Sequence, residues 1–324
     1  MVLPLSARAP AHASPRTIAL LKSPWSWADC SWCHVPTTED PALEGESGLW
    51  SGDELDLDAY LARIGYDIGS GGELAPDLRT LTALHRAHAS TIPFENLDVA
   101  LGRPIPLDLK SLQAKLVERR RGGYCYEQNS LLAAALERIG FQVAGRGARN
   151  RSRGAALPPV THALLAVTVE GEQWLADVGF GWQGPLEPVP LRDGARVEQD
   201  GWTFGIGVED DGTHVLRSLR ATGWMDVYAF SPQAYQPGDF TVLNHYSSSH
   251  PQSRFLGQVV AQRPGTDVRR SLLRETLSLV RTDGSVEERI VTADELAATL
   301  AAEFGIELDA EERAGLERVH AAGV

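Results

Sequence analysis

Between Asp56 and Gly65 the apolar residues Leu57, Tyr60, Leu61 and Ile64 recur at helical spacing. Such a stripe predicts an amphipathic helix, opened by the aspartate and stopped by the glycine. A second helix is predicted over Asp77–Ala89, where Leu78, Leu81 and Leu84 share one face, and a third over Leu109–Arg119. Pro93 has no backbone donor and breaks the second helix, so Thr91–Leu97 is expected as a loop. A fourth helix is predicted over Tyr126–Ile139, closed by Gly140. The pattern then shifts. Phe141–Arg149 reads as a strand ending in an Arg-rich loop, Asn150–Pro159. His162–Val169 and Gln173–Val178 are β-prone runs around Gly171-Glu172, which predicts a hairpin. Asp211-Gly212 and Asp283-Gly284 separate further short strands over 201–290, and Ala293–Phe304 and Ala310–His320 are helical again. Helices, then strands, then a mixed tail indicate an α+β fold rather than an alternating parallel one.

Residues 1–54 show no sustained period and are expected as a poorly ordered extension. The whole chain has 324 residues, 43% hydrophobic and 23% charged, which suits a soluble globular protein with two or three subdomains. No apolar run is long enough to span a membrane. The net charge of -13 argues against nucleic-acid binding, which needs a basic surface. Three cysteines are too few for a disulfide framework, and no signal peptide is evident, so a reduced, cytoplasmic setting is expected. Cys30-Ser31-Trp32-Cys33-His34 fits the haem-attachment pattern, but it lacks an export signal, a second axial ligand and a second zinc-ligand pair. No metal and no bound cofactor are expected.

Chemistry concentrates at Arg121-Gly122-Gly123-Tyr124-Cys125-Tyr126-Glu127. Two glycines precede a predicted helix, which puts Cys125 near a helix N-terminus. The unpaired N–H groups and positive dipole end there favour a thiolate and suit a developing oxyanion. A nucleophilic thiol needs a base, and the base needs an orienting group. His162, at the start of an apolar run, is the candidate base. Asp177, near the end of the paired run, is the candidate orienter. Counted from Gly171-Glu172 the two are out of register, so a bulge or a longer turn is expected between them. Structural cysteine, core histidine and turn aspartate remain the alternatives to these roles.

These segments resemble the arylamine N-acetyltransferase family. Arg121–Glu127 is similar to its active-site signature, Pro93-Phe94-Glu95-Asn96-Leu97 to its upstream loop, and Thr161-His162 and Asp177-Val178-Gly179-Phe180-Gly181 to its histidine and aspartate segments. Asn244 and Ser249–Phe255 resemble a later stretch. Gln128 departs from the family's usual apolar residue, a change expected to be harmless. The resemblance implies a helical bundle over 55–140, a central antiparallel β-barrel over 141–240 and a C-terminal α/β lid over 241–324, with a cysteine-protease-like Cys125–His162–Asp177 arrangement. It implies ping-pong acetyl transfer from acetyl-CoA, a co-substrate, to arylamines or arylhydrazines through an acetyl-Cys125 thioester. Phe94, Tyr126 and Phe180 would line the amine pocket, with core packing as the alternative for Phe94 and Phe180. Thr161 and Gly181 would lie along the CoA path, Gly181 because a missing side chain admits the pantetheine arm. Such chains normally begin near Asp56, so the extension is expected to be an upstream region read from a misassigned start. An amide synthase releasing a polyketide chain and a Cys-His-Asp hydrolase are the competing functions.

Overall fold

The computed structural model of the chain describes residues 48–67, 74–152 and 158–322. Residues 1–47, with Cys30 and Cys33, and 153–157 of the Arg-rich loop lie outside the described residues. Helix α1 (Leu57–Ile64) starts where Asp56 accepts from Ala59 N at 2.9 Å and stops at Gly65, whose φ is 70°. Asp77 caps α2 (Leu78–Thr91), accepting from Thr80 N at 2.8 Å. Each cap satisfies an N–H that the helix cannot, worth about 1 kcal/mol. Next come β1 (Phe94–Glu95), α3 (Leu97–Ala100) and α4 (Leu109–Leu112), which continues as a π-helical turn over Gln113–Glu118. The predicted third helix therefore widens midway. The widened turn carries Lys115, whose Nζ lies 2.7 Å from both Asp98 and Glu127.

Helix α5 (Cys125–Ile139) is the axis of the bundle. Its residues from Cys125 to Leu136 are all buried, polar ones included, so it has no solvent stripe and its composition is nearly all core. Helices α1, α2 and α4 pack around it. Residues 48–54 also belong to this body, contrary to the expected extension. Glu137 of α5 accepts from Trp50 N (3.1 and 3.0 Å) and Gly52 N (2.9 Å), and the buried Trp50 ring meets Phe240. Packing of a single Trp, too short a signal for periodicity, moves the boundary.

Eight antiparallel strands follow: β2 (Gln142–Asn150), β3 (His162–Val169), β4 (Glu172–Ala176), β5 (Val189–Pro190), β6 (Arg196–Gln199), β7 (Trp202–Val208), β8 (His214–Arg220) and β9 (Gly223–Phe230). Their order is β5-β4-β3-β2-β9-β8-β7-β6. The two ends approach each other. Gln199 accepts from Leu186 N at 2.8 Å and donates to Glu187 O at 2.9 Å, which leaves a nearly closed barrel around Leu164, Leu175, Phe204, Leu216 and Phe230.

After α6 (Pro237–Ser249) come β10 (Val260–Arg263), β11 (Val268–Leu273), β12 (Thr276–Arg281), β13 (Val286–Ile290), α7 (Leu296–Thr299), a π-helical turn over Leu300–Phe304, and α8 (Ala310–Ala322). This sheet has the order β1-β10-β11-β12-β13. The segment expected as a plain loop at 91–97 therefore donates an edge strand to the C-terminal layer. Phe94 pairs with Gln262 and Glu95 with Ala261, and Asn96 donates to Phe255 O and Gln258 O while accepting from Val260 N. Among the described residues no helix is long and apolar enough to cross a membrane.

Candidate active site

Cys125 is the first residue of α5, and Tyr124 precedes it in extended conformation. Glu127 reaches back to accept from Tyr124 N at 3.0 Å, which fixes the start of the helix. Burial pushes the Glu127 carboxyl upward, partly offset by Lys115. Gly122 and Gly123 are present for close approach rather than for unusual dihedrals. A side chain on Gly122 would run into Pro93 O, and one on Gly123 would lie 2.7 Å from Glu127 Oε2. The left-handed residue of this turn is Arg120, with φ 52°. Arg63 holds it, donating to Leu116 O (2.7 Å), Arg120 O (3.2 Å) and Arg121 O (3.3 Å). Gln128 is also buried, and its amide donates to Gly123 O at 2.7 Å and Pro93 O at 3.3 Å. Gln128 thereby ties the loop before Cys125 to the helix.

His162 opens β3 and donates through Nε2 to Asp177 Oδ2 at 2.7 Å. Cys125 is near enough to favour the charged ring, and its thiol points to Thr161 O, the neighbouring carbonyl, at 3.9 Å. All three side chains are buried. Burial opposes charge on His162, but attraction by Asp177, its hydrogen bond and the Cys125 sulfur outweigh this and push it up to about 10. Burial likewise opposes charge on Asp177. His162, Asn129 and Tyr228 together hold its carboxyl below the usual carboxylate range.

Asp177 and His162 meet without any bulge. The turn is Glu170-Gly171, both at positive φ (52° and 82°), one residue earlier than expected. Val169 pairs with Glu172 and Leu165 with Ala176 in unbroken register. That register carried one residue further sets Asp177 opposite Leu164, diagonal to His162, a separation that an imidazole spans.

The arrangement joins a thiol at a helix start, an imidazole charged up to high pH and a buried carboxylate. Comparison with known proteins decides which chemistry class holds it. The family model described as N-acetyltransferase matches residues 77–313. Arylamine N-acetyltransferase from Mycobacterium tuberculosis is 38% identical over 270 residues, covering 81% of this chain and 94% of the relative. The chain belongs to the arylamine N-acetyltransferase family. The arylamine N-acetyltransferase crystal structure from Nocardia farcinica is 44% identical, with a TM-score of 0.77, covering 83% of this chain and 95% of that one. The Mycobacterium marinum arylamine N-acetyltransferase in complex with CoA is 34% identical with a TM-score of 0.76, covering 82% and 98%. Membership makes the chain an acyltransferase.

In this arylamine N-acetyltransferase family member the remaining sequence candidates fall into different places. Phe180 is half-buried, edge-on to His162 with ring centroids 4.9 Å apart. Tyr126 is fully buried between Tyr124 and Phe240, its hydroxyl 3.2 Å from Ser247 Oγ. Phe94 is also buried and packs on Phe255. Thr161 lies beside Cys125 through its carbonyl. Gly181 has φ 84°, and a side chain there would strike Gln262 Oε1, so the backbone accounts for this glycine without any ligand.

The residues that surround Asp177 were not singled out from sequence. Asn129 Nδ2 donates to Asp177 Oδ1 at 3.0 Å and to Ala163 O at 2.7 Å, and its Oδ1 accepts from Val178 N at 3.2 Å. Tyr228 OH donates to Asp177 Oδ2 at 2.8 Å, and Gly179 N to Oδ1 at 3.0 Å. Asn129 carried a usable signal, since it lies one helical turn after Cys125 on the same face. Gly179 is equally constrained. A Cβ there would lie 2.5 Å from Cys125 Cα and 2.8 Å from Asn129 Nδ2. Gly179→Ala is therefore expected to displace Cys125 and lower the rate of acyl transfer by about 10²-fold, read by stopped-flow release of CoA thiol. A parental rate would show that the backbone yields without cost.

Beneath the Cys125 loop lies a buried ion-pair network. Arg121, 2% exposed, bridges Glu95 (2.8 Å) and Glu312 of α8 (2.7 Å). Glu312 also receives Arg119 at 2.7 Å and Arg103 at 3.0 Å. Arg119 and Arg121 of this basic run are thus spent on these carboxylates.

Proposed function

We propose that this enzyme transfers the acetyl group of acetyl-CoA to an arylamine or arylhydrazine through a thioester on Cys125, with His162 and Asp177 as its base and orienter. One observation carries the reading: His162 is hydrogen-bonded to the buried Asp177 carboxylate in the neighbourhood of Cys125, with its charge favoured up to about pH 10. An imidazolium beside the sulfur favours the thiolate form needed for attack. The sulfur attacks the acetyl carbonyl, and the oxyanion develops at the first turn of α5, where backbone N–H groups and the helix dipole favour it. Collapse breaks the carbon–sulfur bond to CoA, which leaves as its thiol with the proton of His162. In the second half the amine nitrogen attacks the thioester, His162 takes the amine proton, and Cys125 leaves as thiolate. Asp177 holds the ring through both halves without being protonated.

Phe180, half-buried and beside His162, is the side chain proposed to contact an aromatic acceptor. Phe94 and Tyr126, both buried, are proposed to complete the acceptor pocket by packing. Thr161 and Gly181 border the route proposed for the pantetheine arm, and the CoA complex of the M. marinum relative favours CoA as the acyl carrier. A reducing cytoplasm is the setting that keeps the Cys125 thiol available.

The test is intact-mass spectrometry after mixing with acetyl-CoA alone. A single acetyl adduct on Cys125, discharged by a simple arylamine with stoichiometric CoA release, is the expected result. Absence of the adduct, with the parent fold intact, would remove the acetyl-thioester route.

A further inference from the structure

We propose that His85 is a positioning residue for acetyl transfer, holding the backbone of Asp177 through an unprotonated Nε2 and so placing the carboxylate that orients His162. The inference rests on the acetyl-Cys125 reading above and adds a second histidine behind the first. His85 lies on α2 and is fully buried. Asp177 N donates to its Nε2 at 2.9 Å, and its Nδ1 lies 2.9 Å from Leu186 O. The two partners dictate the tautomer. A backbone amide can only donate, so Nε2 is bare. A carbonyl can only accept, so Nδ1 carries the proton. A second proton would oppose N–H to N–H at Asp177. Burial disfavours it as well, pushing His85 down to about 4 against the attraction of Asp177.

The position explains why such an acceptor is needed. The β3–β4 ladder ends at the Leu165–Ala176 pair, so Asp177 is the first residue past the sheet. Its buried N–H would otherwise lose its hydrogen bond, just where the side chain must be placed to a fraction of an ångström. His85 supplies the acceptor from a helix 92 residues away in sequence. Its other nitrogen grips Leu186, whose own N–H is held by Gln199 at 2.8 Å where the barrel edges meet. The imidazole thus joins the bundle, the closing edge of the barrel and the Asp177 backbone. Its neutrality leaves His162 as the cation that faces the Asp177 carboxylate across 2.7 Å.

Two substitutions separate positioning from bulk packing. In His85→Gln the amide oxygen reaches the place of Nε2 and still accepts from Asp177 N–H. In His85→Asn the shorter amide reaches the place of Nδ1, donates to Leu186 O and leaves Asp177 N–H bare. Single-turnover acetylation of Cys125 by acetyl-CoA is expected to fall about 10²-fold in His85→Asn, with KM nearly unchanged, and to stay within about fivefold in His85→Gln. Equal losses in the two variants, tracking equal falls in melting temperature, would overturn the proposal. If His85→Asn does not fold, His85→Gln alone remains decisive: a retained rate supports the acceptor role, and a hundredfold loss at parental melting temperature rejects it. Iodoacetamide alkylation of Cys125 needs no acetyl donor and distinguishes failure here from failure of the acetyl reading. Slowed alkylation in His85→Asn with normal alkylation in His85→Gln upholds positioning even if the parent forms no acetyl thioester. Identical alkylation in parent and both variants overturns it.

Discussion

Asp177→Asn is expected to reduce acetyl transfer by about 10⁴-fold while leaving the protein folded. The size follows from the hydrogen bonds around the carboxylate. Asn129 Nδ2 and Gly179 N donate to Oδ1, and Tyr228 OH donates to Oδ2, which also faces His162 Nε2. All four groups are donors toward Asp177. An amide turned either way puts its own NH2 against donors, so the substitution loses a charge and gains a repulsive contact. It also removes the attraction that lifts His162 to about 10, leaving burial to press its charge downward. In the parent, His162 stays cationic below about pH 10 and Asp177 stays anionic above its lowered value, so the charged pair spans the whole neutral range. Stability follows the same signs. The His162 contribution is complete below the ordinary histidine value and is lost as pH rises toward about 10. The Asp177 contribution is complete above the ordinary aspartate value and is lost on acidification through its lowered one. At neutral pH, iodoacetamide alkylation of Cys125 is therefore expected to be fast in the parent and slow in Asp177→Asn. Equal rates would show that the carboxylate does not govern the sulfur.

Arg121→Met is expected to cost about 3–5 kcal/mol of stability, since it removes the ion-pair partner of the buried Glu95 and one of the three arginines around the buried Glu312. Glu95 and Glu312 are both almost completely buried, and each accepts from a different Nη of Arg121 at 2.8 and 2.7 Å. Burial disfavours the Arg121 charge, but Glu95, Asp98 and Glu312 more than offset this and hold its guanidinium firmly protonated. For a chain of this size the loss corresponds to a fall in melting temperature of roughly 10 °C in a calorimetric scan. Arg121→Lys should recover only part of it, because one ammonium lacks the planar fork that spans two carboxylates. A scan of Arg121→Met within about two degrees of the parent would mean that Glu95 and Glu312 find other partners or take up protons at little cost.

The features legible in the sequence were those whose causes are local. Asp56, Asp77, Gly65 and Gly140 act within one helical turn, and the helices begin and end where these residues require. Cys125, His162 and Asp177 were legible because each sits at the boundary of a strong periodic segment. The turn at Glu170-Gly171 was misplaced by one residue because its first position carries a glutamate at φ 52°. Asn, Asp or Gly is the usual signal there. The edge strand at Phe94–Glu95 has only two residues, and its partners lie at 261–262, so no window of sequence contains the pairing. The same holds for His85 with Asp177 and for Arg121 with Glu312. Polar residues buried by distant partners look, in sequence, like any other polar residue on a helix.

Glu312 has a consequence for the order in which the molecule is made. Its carboxylate gathers Arg103, Arg119 and Arg121, all of which leave the ribosome long before it does. A chain that stops before α8 can still form the Arg121–Glu95 pair but lacks the carboxylate that ties Arg103, Arg119 and Arg121 together, so each of these arginines has one ion pair fewer beneath the cysteine loop.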